Sequence, residues 1–198
     1  CSGCLKALLL TIAGGLASLA WAAEPIIIPA PPQLGASAFL LIDADSGKTL
    51  VEHNSRQRLP PASLTKIMTS YIAAGEIANR RLALTDTVLV SEKAWKKGGS
   101  KMFIRVGTEV LVDDLLKGIV IQSGNDASIA IAEHIAGGED AFADIMNQQA
   151  QMLGMTDSSF RNSTGWPDDE HYTSARDLAI LSRALIERFP EHYAMYAE

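Results

Sequence analysis

Two short segments of this chain hold residue types that can cleave an acyl bond. In Ser63-Leu64-Thr65-Lys66, directly after Pro60-Pro61-Ala62, a hydroxyl and an amine stand three positions apart. On a helix they share one face, within reach of each other. A serine hydroxyl attacks a carbonyl only with a base beside it, and an amine serves if it is neutral at working pH. Burial and the positive end of a helix both favour the neutral amine. The unpaired N–H groups of a helix start can also bind a developing oxyanion. The second segment, Gln122-Ser123-Gly124-Asn125-Asp126, sets a hydroxyl and a carboxamide two residues apart, able to relay a proton and hold a substrate amide.

Each segment alone has a plain structural explanation. A serine cap with a solvated lysine accounts for the first, and roughly one Ser-x-x-Lys match is expected by composition in a chain of this length. A helix C-cap glycine followed by a polar cap accounts for the second. The elements around them are legible. Ala38–Asp43 and Lys48–Glu52 favour strands around Asp45-Ser46-Gly47 and read as a β-hairpin. Pro60-Pro61 stops the extended chain, and Ser63–Ala74 then reads as a helix ending near Gly75. Thr87–Ser91 and Glu109–Leu111 read as short strands around a polar loop with Lys93, Lys96, Lys97, Gly98, Gly99 and Lys101. That loop is either a solvated face or a rim that meets an anionic polymer. Helical patterns follow at Val112–Ile121, Asp126–Ile135, Ala141–Leu153 and Ala175–Arg188, the last opened by a Ser174/Asp177 capping box. Strands first and helices afterwards predict an α+β fold, a helical region packed on an antiparallel sheet.

The 198 residues are 47% hydrophobic and 20% charged, enough for one globular domain with an export segment. A net charge of -6 argues against nucleic acid as a partner. Lys6, the apolar run Ala7–Ala20 and the small-residue site Ala20-Trp21-Ala22 read as a secretory signal peptide over residues 1–22, cleaved after Ala22 or Ala23. An uncleaved N-terminal anchor is the alternative. Residues 23–35, with Pro25, Pro29, Pro31 and Pro32, read as an extended leader, and the globular domain as 36–198. The chain begins with Cys1, which suggests that sequence precedes it. Cys1 and Cys4 are its only cysteines, so the part after the signal has no thiol, disulfide or thiolate metal site. His53, His134, His171 and His192 lack zinc-site spacing, and no metal or cofactor is expected. Gly47-Lys48-Thr49 lacks the first glycine of a P-loop, and there is no Gly-x-Ser-x-Gly elbow.

The order Ser-x-x-Lys, then Ser-x-Asn, supplies two of the three motifs of penicillin-recognising serine enzymes. Pro61-Ala62-Ser63-Leu64-Thr65-Lys66-Ile67-Met68-Thr69, Ser123-Gly124-Asn125-Asp126-Ala127 and Tyr172-Thr173-Ser174-Ala175-Arg176-Asp177-Leu178 together resemble serine-type D-alanyl-D-alanine carboxypeptidases, the low-molecular-mass penicillin-binding proteins. The hairpin and the stretch Ala94-Trp95 to Met102-Phe103 are similar too, so the likeness runs from about Ala36 to the last residue.

This resemblance implies a penicillin-binding transpeptidase or β-lactamase-like fold. It implies that Ser63 is the nucleophile acylated by a peptidoglycan stem peptide, that Lys66 is its base, and that Ser123 relays a proton to the leaving amine. Asn125 would hold the substrate amide and orient Lys66. β-Lactams would be inhibitors, the location periplasmic, and a C-terminal segment beyond these residues could dock the protein on the inner membrane. The third motif, Lys-Thr-Gly, is absent: Lys48-Thr49 is followed by Leu50 and precedes the nucleophile. The expectation is a fragment truncated before that motif, with an incomplete sheet and little or no activity of its own. No Glu-x-x-Leu-Asn segment of class A β-lactamases occurs, and Asp168, Asp169 and Glu170 read as a solvated loop. A cross-link-cutting D,D-endopeptidase and a non-catalytic wall-binding relative are the alternatives.

Overall fold

The computed structural model describes residues 33–198; the predicted signal peptide and nearly all of the leader lie outside the described residues. The first strands, β1 (Phe39–Ile42) and β2 (Thr49–His53), pair antiparallel with Phe39 opposite His53 and a bulge at Leu41/Ile42. Asp43 closes their turn by accepting from the Ser46 N–H at 2.8 Å, while its carbonyl accepts from Gly47 N–H at 2.9 Å. A single 3₁₀ turn at Ala62–Leu64 then leads into α1 (Thr65–Ala78).

The second strand pair is β3 (Thr87–Leu89) with β4 (Glu109–Leu111), again antiparallel. Between them lies α2 (Glu92–Lys96), in the stretch read as loop. Ser91, expected to end the strand, instead caps this helix, its Oγ accepting from Ala94 N–H at 3.0 Å. The remaining helices are α3 (Val112–Val120), α4 (Asn125–Ala136), α5 (Glu139–Leu153), α6 (Ala175–Arg188) and α7 (Pro190–Tyr193), with a last 3₁₀ turn at Ala194–Ala197. The α+β class holds, with strands that form two separate two-stranded sheets among the described residues.

The first helix differs from its prediction at both ends. It starts two residues later, because the prolines deliver Ser63 into a 3₁₀ turn, and it runs through Gly75 to Ala78. A glycine inside a helix costs about 1 kcal/mol, which the packing of Ile77 beyond it offsets. The α5 helix opens at Glu139, two residues early, and α6 matches its prediction. Only half of the expected capping box forms at α6. Ser174 Oγ accepts from Asp177 N–H, but the Asp177 carboxylate turns to Asp157 N–H and Ser158 Oγ, both at 2.7 Å.

Two hydrophobic clusters meet along α1. Ala73 packs with Leu115, Leu116, Ile119, Ile129 and Ile131 on one side. Met68, Tyr71 and Ile72 pack with Phe142, Met146, Phe160 and Leu181 on the other. A helix apolar on so much of its circumference is buried, so its N-terminal turn is fixed from both flanks. That turn carries Lys66 and follows directly on the 3₁₀ turn that holds Ser63.

Candidate active site

Ser63 is exposed at the start of α1, while Lys66, one turn on, is only 4% exposed. Its Nζ lies 3.3 Å from Ser63 Oγ and donates to the Thr164 carbonyl at 2.8 Å. Burial lowers the Lys66 pKa from 10.5 to about 8. With one N–H held by the Thr164 carbonyl, the neutral amine can turn its lone pair to the Ser63 hydroxyl. Ala62, just before Ser63, has φ 47°, a left-handed conformation rare for a residue with a side chain.

The loop 162–172 supplies the other wall, and sequence reasoning missed it. Asn162 Oδ1 accepts from Thr164 N–H and Oγ1, Gly165 N–H and Trp166 N–H at 2.8 to 3.2 Å, curling the loop into a tight turn. Three anchors tie it to the first turns of α1. Thr65 Oγ1 meets His171 Nε2 at 2.8 Å, Lys66 meets Thr164, and Thr69 Oγ1 donates to the Ser163 carbonyl at 2.7 Å. His171 Nδ1 accepts from Arg161 N–H at 3.1 Å, so the proton resides on Nε2 and points at Thr65. Burial holds His171 below its usual pKa, consistent with that neutral form. Gly165 has φ 83°, and a Cβ there would lie 1.7 Å from the Ala62 carbonyl oxygen. Only glycine lets the loop come this close to the nucleophile turn. The Asn162–Gly165 run of turn formers was the available sequence signal.

Ser123 and Asn125 occupy the turn between α3 and α4. Ser123 is half-buried with φ 54°, a second strained position among the residues singled out from sequence. Asn125, 7% exposed, donates from Nδ2 to the Gly98 carbonyl at 2.8 Å, and its N–H donates to the Ser100 carbonyl at 2.7 Å. The amine of Lys66 is held by the Thr164 carbonyl, and the Asn125 side chain donates to the 97–101 segment. Gly99 has φ 82°, and a Cβ there would stand 2.6 Å from Asn125 Nδ2.

The same segment touches the opposite loop. Trp166 lies at van der Waals distance from where Cβ atoms on Gly98 and Gly99 would be, and Lys97 Nζ sits 4.2 Å over its ring. Lysines read from sequence as one basic loop thus divide. Lys93 pairs with Glu139, Lys96 with Glu92, Lys101 with the Trp95 carbonyl, and Lys97 alone faces Trp166. Asp168, Asp169 and Glu170 are exposed, as expected. Among the described residues no cluster of three His, Cys, Asp or Glu could hold a metal.

A hydroxyl beside a buried, weakly basic amine, at the junction of a helix start and a strained loop, is the arrangement that serine enzymes of the Ser-x-x-Lys class use. The family profile described as D-alanyl-D-alanine carboxypeptidase, Peptidase S11, matches residues 26–198, and the chain belongs to that family. It is 43% identical over 188 residues to the D-alanyl-D-alanine carboxypeptidase DacC of Escherichia coli, which covers 92% of this chain and 46% of DacC. The crystal structure of DacD from Francisella tularensis superposes with a TM-score of 0.87 at 44% identity, covering 93% of this chain and 45% of that one. Penicillin-binding protein D2 of Listeria monocytogenes, solved in its ampicillin-bound form, superposes at 0.72 with 27% identity, covering 81% of this chain and 66% of its own. The chain thus spans about half the length of DacC and of that DacD.

Proposed function

We propose that the protein is a serine D-alanyl-D-alanine carboxypeptidase that removes the terminal D-alanine from peptidoglycan stem peptides. The observation that carries this reading is Ser63 Oγ at 3.3 Å from a buried Lys66 amine whose pKa is about 8, in a chain of this family. Ser63 attacks the carbonyl of the penultimate D-alanine as its proton passes to Lys66 Nζ. The C–N bond to the last D-alanine then breaks, and Ser123 passes a proton to the departing amine. Water hydrolyses the Ser63 ester and regenerates the hydroxyl. Asn125 holds the substrate amide after exchanging its bond to Gly98. A β-lactam opens its ring on the same oxygen, a reading supported by the ampicillin-bound relative.

The reading needs a Lys-Thr-Gly strand to bind the substrate carboxylate, and the 198 residues, which span about half the length of the relatives, contain none. Lys6, the apolar run Ala7–Ala20 and Ala20-Trp21-Ala22 support export to the periplasm, with a catalytic domain from residue 36.

The test is covalent labelling of the full-length protein with a fluorescent penicillin, read by intact mass and peptide mapping. A stable adduct on Ser63 that disappears in Ser63→Ala is expected. A well-folded protein without an adduct would instead fit a wall-binding relative. Release of free D-alanine from monomeric stems, against cleavage of cross-linked ones, separates carboxypeptidase from endopeptidase.

A further inference from the structure

Lys66 owes its position to a carbonyl on a loop, and that loop is held from behind by a carboxylate that takes no part in the chemistry above. Glu139 opens α5 and is only 7% exposed. Its Oε1 accepts from Ser163 N–H at 3.2 Å and Ser163 Oγ at 2.9 Å, and its Oε2 pairs with Lys93 Nζ of α2 at 2.9 Å. Burial by itself would raise the Glu139 pKa. The hydrogen bonds from Lys93 and Ser163, with the Lys93 charge, more than reverse this and keep it charged. Glu133 of α4 and the neighbouring Asp140 add negative charge around Lys93 and raise its pKa further.

The next residue along, Thr164, carries the carbonyl that receives Lys66. We propose that Glu139 is a positioning residue for the acylation base: pinned by Lys93, it fixes Ser163 and thereby sets the Thr164 carbonyl on Lys66 Nζ. The connection is short and has no slack. Glu139 holds Ser163 on one side, Thr69 holds the Ser163 carbonyl on the other, and Asn162 closes the turn beyond. Without Glu139, a buried N–H and hydroxyl lose their acceptor and the loop must move to find water. Water reaching the loop also reaches Lys66, whose low basicity depends on exclusion from solvent. Neither α5 nor α2 carries a residue of the catalytic motifs, so this role is separable from them.

The inference rests on the reading of Ser63 and Lys66 given above. The experiment measures the second-order rate of penicillin acylation against pH in full-length Glu139→Ala, beside the melting temperature and the ionisation of Lys66 followed by ¹³C NMR of labelled lysine. The rate should fall by about tenfold to a hundredfold, the cost of misplacing a reacting group by about an ångström. The pH midpoint should rise from about 8 towards 10.5 in both readouts. Glu139→Gln, whose amide oxygen can still accept from Ser163, should restore most of the rate. A folded Glu139→Ala protein with the wild-type midpoint overturns the proposal, whatever its melting temperature. Should that variant fail to fold, Ser163→Ala removes only the side-chain bond and should shift the midpoint in the same direction by less; an unmoved midpoint there overturns it too. If the wild type takes no penicillin, the carboxypeptidase reading falls, while the NMR midpoint still decides whether Glu139 sets the surroundings of Lys66.

Discussion

The nucleophile turn and the Ser123–Asn125 turn are both built around a non-glycine residue of positive φ, Ala62 at 47° and Ser123 at 54°, yet they are held differently. At the first, the polar side chains of α1 at 65, 66 and 69 all bind the 162–172 loop. At the second, Asn125 and Asp126 bind the backbone of the 98–104 segment, Asp126 clamping Met102 N–H and Ile104 N–H at 3.1 and 3.2 Å. The first arrangement buries an amine and so lowers its basicity. The second satisfies a neutral amide with a backbone carbonyl and so creates shape. Trp166 joins them by packing over Gly98 and Gly99. On the proposed reading, such a site has its base tuned in advance and its substrate-binding amide still to be released.

The largest effect should come from breaking the first turn chemically. Lys66→Ala in the full-length protein should lower penicillin acylation by about 10²–10⁴-fold, the usual worth of a general base, with the fold retained. Stopped-flow or gel-based labelling measures this, and a rate within tenfold of wild type would mean that another base serves Ser63. Breaking the same turn sterically comes next. Gly165→Ala forces a Cβ to 1.7 Å from the Ala62 carbonyl oxygen at a φ of 83°. Backbone must move, so a stability loss of about 3 kcal/mol or more is expected by chemical denaturation, with labelling lost in step.

The contrast also explains what could be read in advance. Ser63, Lys66, Ser123 and Asn125 were legible because each motif is local, and α3 to α6 because their apolar periodicity is strong. The Asn162–Trp166 loop was not, because its importance lies in contacts to residues about a hundred positions away, such as Lys66 with Thr164. The α2 helix was hidden by its lysines, although Ser91 was a sound cap signal. Gly75 misled because glycine is a helix stop only where packing does not carry the helix past it. The Thr164 carbonyl that holds Lys66 was hidden as well, because no sequence motif marks a carbonyl.

A buried amine at one turn and a neutral amide at the other should also differ in their response to pH. The Lys66 pKa is about 8 folded and near 10.5 unfolded, so between those values the unfolded chain binds a proton that the folded one does not. Stability must then rise with pH through that window, the folded state being penalised below it. The gain from pH 7.5 to 9.5 should be about 2 kcal/mol in wild type relative to Lys66→Met, from denaturant midpoints. Asn125→Ala should keep the slope. His171 and Glu139, both lowered, act in acid: His171 loses its contribution as pH falls below about 6.5, and Glu139 below about 4.5.

The smallest stability change separates shape from substrate binding at the second turn. Asn125→Ala removes one hydrogen bond to the carbonyl of Gly98, a residue exposed enough for water to replace the donor, so about 1 kcal/mol should be lost. If Asn125 only fixes the 97–101 segment, acylation should fall by no more than this loosening allows, and Gly99, packed against the same amide, should become more mobile in hydrogen exchange. If it also takes the substrate amide, acylation should fall at least tenfold further, because a site built to bond that amide leaves it unpaired when the partner is gone. Asn125→Asp sharpens the distinction. The carboxylate cannot donate to the Gly98 carbonyl and would pull a proton onto Lys66, raising its midpoint, whereas alanine leaves that midpoint near 8. An alanine variant that moved the Lys66 midpoint as far as aspartate did would show the two turns to be one electrostatic unit, and the separation between reactivity and shape would have to be given up.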